Sequence, residues 1–194
     1  EARSTWVTFT EDSVRATLFS AVDSTGIPVW ETAQGALHSD GIDLLVFLDQ
    51  LPNLDYLTGR VSSDVLIDRF APEFTARGTI DIEDLDLALL DTRPLYRIPR
   101  GQLQVIGNRA ELIGFEGGAL GEDGSFSLGG FADVGKSVFD WQLVLLTRDL
   151  PYRFDDVFDA RVDLDLVLQP IQGGSHLSGE VVMRDAVVEA QILK

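Results

Sequence analysis

The chain has 194 residues, 45% of them hydrophobic and 24% charged, which excludes a disordered polymer and is long enough to bury roughly 70% of the unfolded surface without covalent staples. Eighteen glycines and seven prolines are too few for collagen or low-complexity sequence. Fifteen basic against 32 acidic residues give a net charge of −17, and there is no cysteine; this excludes a nucleic-acid partner, disulfides, thiolate metal sites and cysteine nucleophiles.

Met183 is the only methionine, so the sequence reads as a mature product or an excised piece. The purest apolar run, Leu44–Leu48, has five residues against the ~20 of a spanning helix. No signal peptide is visible, and any membrane anchor is expected outside this sequence.

In chain order the periodicity is two. Thr5–Thr10, Val14–Ala21 and Val29–Leu37 read as strands. Ile42–Leu48 alternates but is apolar on both faces, and also reads as a strand. Leu51–Leu57 and Asp64–Ala71 hold a turn or two of helix at most. Thr79–Ile82 alternates, Glu83-Asp84 shifts the phase, and Leu85, Leu87 and Leu89 resume it; one extra residue at a phase shift predicts a β-bulge. Gly101–Ile106, Ala110–Phe115, Ser125–Asp133, Phe139–Leu145, Arg161–Leu168 and Glu180–Leu193 continue the pattern. In Arg161–Leu168, Val162, Leu164, Leu166 and Leu168 share one face, and Asp163 and Asp165 the other. Turn signals separate the runs at Asp23–Gly26, Ser39–Gly41, Gly107-Asn108, Glu122–Gly124 and Gln172–Gly174. Short strands at near-regular spacing predict an all-β fold.

An offset of 101 residues lays Gly59-Arg60-Val61 on Ala160-Arg161-Val162. It also lays Asp64 on Asp165, Gly78 on Gly179, Ile82 on Met183 and Asp84 on Asp185. An offset of 99 lays Asp49–Pro52 on Arg148–Pro151. Two units of one β domain follow, roughly 30–90 and 130–194. Such units stack to cover their open faces, which favours an elongated sheet over a closed sandwich.

The run from Phe139-Asp140-Trp141-Gln142-Leu143 through Asp149–Arg153, Phe158–Leu166 and Leu177–Val181, with Ala76–Ile80 and Gly124–Gly130, resembles the TamB family, the translocation and assembly module subunit, within the AsmA-like group. The pattern covers about two thirds of the chain and consists mostly of alternation with Gly and Asp. The resemblance implies an internal periplasmic segment of an inner-membrane-anchored parent. Its fold would be a long antiparallel sheet of roughly a dozen strands, curved lengthwise into an open, taco-like trough with a hydrophobic inside. It also implies a parent that pairs with an outer-membrane barrel of the TamA/BamA kind and moves phospholipid between membranes or assists outer-membrane protein assembly.

Little else in the sequence carries chemistry. His38 and His176 are the only histidines; Ser175 and His176 are neighbours that a strand would point to opposite faces, and two histidines without cysteine make no zinc site. The densest acids, Asp155, Asp156, Asp159, Asp163 and Asp165, read as a solvated face that discourages edge pairing. Gly118–Gly121 and Gly121–Gly124 read as turns, with no Walker lysine or following helix. The expectation is therefore a protein with no catalytic residues, metal or cofactor. Its working surface would be the apolar face formed by Ile42, Leu44, Val46, Leu48, Val61, Val65, Ile67, Ile80, Ile82, Leu103, Val105, Phe126, Leu128, Phe139, Trp141, Leu143, Leu145, Val162, Leu164, Leu166, Leu168, Val181 and Met183. The leading expectation is a groove that shields phospholipid acyl chains. A chaperone-like scaffold for outer-membrane β-barrel proteins is the alternative, and a structural or adhesive β-repeat the third. Edge-to-edge self-association of an open sheet is also expected.

Overall fold

The structure is a computed structural model. It describes residues 4–11, 14–71, 73–133, 140–154 and 157–188, with side chains from Val14 onward. Its strands are β1 (Ser4–Glu11), β2 (Val14–Val22), β3 (Pro28–Asp43), β4 (Leu54–Arg69), β5 (Thr75–Leu89), β6 (Thr92–Arg93), β7 (Tyr96–Gly107), β8 (Arg109–Ala119), β9 (Ser125–Asp133), β10 (Asp140–Arg148), β11 (Leu150–Phe154), β12 (Phe158–Ile171) and β13 (Gly174–Val188). All belong to one open antiparallel sheet in which neighbours in the chain are mostly neighbours in space. β10 and β11 lie end to end along one side of β12, and β13 lines the other. The two residues of β6 cross over to cover the free side of β11.

β-Branched and leucine residues alternate with charged ones, so each long strand presents one apolar face. Cross-strand partners place these faces on the same side: Leu37 opposite Val65, Ile80 opposite Leu103, Leu112 opposite Gly130, Leu145 opposite Leu166.

Irregularities interrupt several strands. The register slips between Thr58 and Arg60 in β4, between Leu112 and Phe115 in β8, and between Asp159 and Arg161 in β12. Asp84 in β5 and Asp149 between β10 and β11 have φ of 49° and 50°. The phase shift at Glu83-Asp84 is thus a bulge, with Asp84 in the left-handed region that aspartate tolerates better than most residues. Bulges sharpen the twist and curl the sheet. The curl is measurable: the Tyr96 hydroxyl in β7 donates to the Pro151 carbonyl in β11 at 2.9 Å. The same edge is closed by β6, whose Arg93 pairs with Arg153 of β11.

Three sequence expectations are corrected. Ile42–Leu48 is not a strand: β3 ends at Asp43, and Leu44–Gln50 is a 3₁₀ helix. The Asp43 carboxylate accepts from the Leu45 amide at 2.9 Å and caps it, a local bond that outweighs the apolar alternation. The turns of helix allowed at Leu51–Leu57 and Asp64–Ala71 fall instead mostly within β4. The match of Asp49–Pro52 to Arg148–Pro151 also fails structurally. The first segment runs from the end of the 3₁₀ helix into a turn, while the second passes through a bulge into β11.

Candidate functional site

The apolar face falls into two parts. On one side is a packed end. Leu57, Leu85, Ile98 and Phe115 form a buried cluster, Leu57 and Ile98 being only 5% and 4% exposed. Leu44 and Leu48 of the 3₁₀ helix pack onto it, with Ile82, Leu112, Phe126 and Leu128. Tyr96 stacks edge-on against Phe126 at 6.2 Å, and burial pushes its phenol up to about 12. Of the large apolar side chains less than one-tenth exposed, all but Val65 and Val162 sit towards this end.

On the other side the face opens. Ile42, Val61, Ile67, Ile80, Leu103, Val105, Trp141, Leu143, Leu145, Leu164, Leu166 and Leu168 are only partly buried. Val162 is buried at the border. Val181 and Met183 share the face but lie on β13, where every described residue is exposed. The sequence-based set is therefore brought to one side of one sheet with three differences. Leu44 and Leu48 are plug residues of the packed end. Val46 is 61% exposed on the 3₁₀ helix and lines nothing. Phe139 lies outside the described residues. Leu18, Leu37, Leu112 and Leu177 belong to the same face and were missed, Leu112 because the Gly114 irregularity hides the phase of β8.

Polar groups on this face are turned inward on one another. Ser39 and Ser63 are buried and hydrogen-bond at 2.9 Å. The Thr147 hydroxyl donates to the Val162 carbonyl at 2.9 Å and accepts from the Leu164 amide at 2.8 Å.

The opposite face carries the charges. Arg97 grips Asp86 through two bonds of 2.6 Å, and these hold the Asp86 carboxyl below its usual range. Arg153 donates to Glu122 at 2.7 and 3.0 Å and to Asp159 at 2.9 Å. Arg184 pairs with Asp163, and the Arg109 guanidinium lies 3.7 Å over the Phe131 ring. Of the dense acidic group, Asp159 and Asp163 are thus held by arginines, Asp165 is exposed, and Asp155 and Asp156 lie outside the described residues. His38 is exposed 3.1 Å from Asp40, and His176 is exposed on β13. Gly118–Gly124 forms the end of β8 and the β8–β9 turn.

Among the described residues no helix is long and apolar enough to cross a membrane. No protein-family model, curated protein or solved structure matches the chain.

Proposed function

We propose that this chain is a non-enzymatic segment of a periplasmic envelope protein whose apolar face shields phospholipid acyl chains in transit between the inner and outer membranes. The parent would be anchored in the inner membrane and meet an outer-membrane barrel of the TamA/BamA kind. One observation carries this reading: a continuous apolar wall, from Ile80 through Leu103 and Leu143 to Leu168, is only partly buried. From Val162 to Leu168 that wall runs roughly 20 Å along the strand, longer than the ~15 Å tail layer of one leaflet. Each methylene removed from water there gains ~0.8 kcal/mol, so tails can be held without a headgroup site. The paired, net-acidic opposite face keeps such a body in water. The wet edge of β13 favours a second reading, a scaffold that receives client strands.

The test is lipid analysis of the chain purified without detergent, with photo-reactive side chains placed one at a time. Phospholipid should co-purify, and probes at Leu143 and Leu168 should label it while probes at Gln142 and Asp165 do not. Absence of lipid, or equal labelling from both faces, refutes the reading.

A further inference from the structure

Among the described residues β13 is paired along one edge only, to β12. Its counterpart at the 101-residue offset is β5. Gly78 and Gly179 have φ of 142° and 137°, and Asp84 and Asp185 of 49° and 50°. A Cβ at Gly78 would strike the Asp64 carbonyl and the Val65 Cα; at Gly179 it would strike the Asp165 carbonyl and the Leu166 Cα. The ladders agree as well: Val65 faces Gly78 and Val61 faces Ile82, as Leu166 faces Gly179 and Val162 faces Met183. The two hairpins are one structure built twice, and they differ in what lies beyond. The far edge of β5 carries β7, with Val105 opposite Gly78, Leu103 opposite Ile80, Gly101 opposite Ile82 and Ile98 opposite Leu85.

We propose that the free edge of β13 is a docking site for a separate antiparallel polypeptide strand with the inward pattern of β7. In the translated register an apolar residue lies opposite Gly179, another opposite Val181, glycine opposite Met183 and an apolar residue opposite Ala186. β7 itself is held between β5 and β8 and is not free to supply this strand. The outward side chains set its charge. Where β5 presents Thr79 and Glu83, β13 presents Glu180 and Arg184. Glu83 faces Arg100 of β7, whereas Arg184, already paired with Asp163, disfavours a second cation there and Glu180, opposite Asp165, calls for one, since like charges opposed across a ladder destabilise it. Main-chain bonds supply the affinity and these positions the selectivity. The inference holds whether or not the apolar face carries lipid.

The test adds a synthetic peptide to the full chain and follows amide hydrogen exchange in β13 by NMR. The peptide carries the β7 sequence Tyr96–Gly107 with Arg100→Glu and Gln104→Lys. Saturable one-to-one binding should slow exchange at least tenfold for the β13 amides that point away from β12. The unaltered β7 sequence should bind at least fivefold more weakly, because its arginine meets Arg184. N-methylation of one alternate set of peptide amides should abolish binding, and of the other set leave it intact. The proposal is overturned if millimolar peptide leaves β13 exchange unchanged, if both N-methylated sets behave alike, or if β13 is already protected without peptide through pairing of two copies of the chain.

Discussion

Tyr96 reinforces at the residue scale the contact that the short β6–β11 ladder makes between the start of β7 and β11. Its ring is buried beside Phe126, its hydroxyl satisfies the carbonyl of the fully buried Pro151, and burial raises its pKa to about 12. The neutral phenol is the form the folded state favours. Because the folded pKa lies above the unfolded value near 10, the stabilisation is fully present below pH 10 and is lost as pH rises towards 12. Tyr96→Phe leaves a buried carbonyl unmade and should cost about 1 kcal/mol at neutral pH. The variant should also lack this part of the alkaline loss, so the two stability curves converge above pH 10. Urea titrations at stepped pH read both effects; parallel curves would rule out the assignment. Asp86 works at the other limit. Its lowered pKa makes the Arg97 pair a contribution present above the unfolded carboxylate value and lost as pH falls through the folded one.

At the scale of the element, the two hairpins β4–β5 and β12–β13 share their backbone but not their surroundings. Both inner-strand glycines occupy positive φ with a neighbouring carbonyl where a Cβ would lie. β5 is clamped between β4 and β7, while β13 can retreat from β12 into solvent. Gly78→Ala should therefore cost about 3 kcal/mol or more, through strain and overpacking that cannot relax. Gly179→Ala should cost on the order of 1 kcal/mol and appear as faster amide exchange confined to β13. Equal losses in denaturant midpoint would mean that β13 is held on both sides. The Asp84 bulge was legible in the sequence because the phase slips between Ile82 and Leu85. The Asp149 bulge was not, because Leu150-Pro151 reads equally well as a corner. The 3₁₀ helix was masked for a related reason. With Leu44, Leu45, Val46, Phe47 and Leu48 all apolar, neither period is decisive, and the cap from Asp43 to Leu45 spans only two residues.

For the whole molecule, alternation fixes which side chains share a face but carries no information on how far the sheet curls. That depends on where bulges fall in β4, β5, β8 and β12, which no local pattern records. The outcome is one apolar surface with two physical characters, and a pair of equivalent substitutions separates them. Leu57 lies in the packed cluster beneath the 3₁₀ helix. Arginine there buries a charge within an apolar cluster, a loss of several kcal/mol. Leu57→Arg should abolish the cooperative melt. Leu166 points from the same face but is only partly buried on the open wall between Leu145 and Gly179. An arginine at 166 can lay its methylenes along the wall and carry its guanidinium to water. Leu166→Arg should therefore keep a strand-type circular dichroism spectrum and a cooperative transition lowered by no more than about 2 kcal/mol. It should still lose lipid labelling from a probe at Leu143, because the charge interrupts the apolar track between β10 and β13. If Leu166→Arg unfolds the chain as completely as Leu57→Arg, the wall is a sealed core and the lipid reading fails with it. If it folds and labels lipid undiminished, tails do not follow this face.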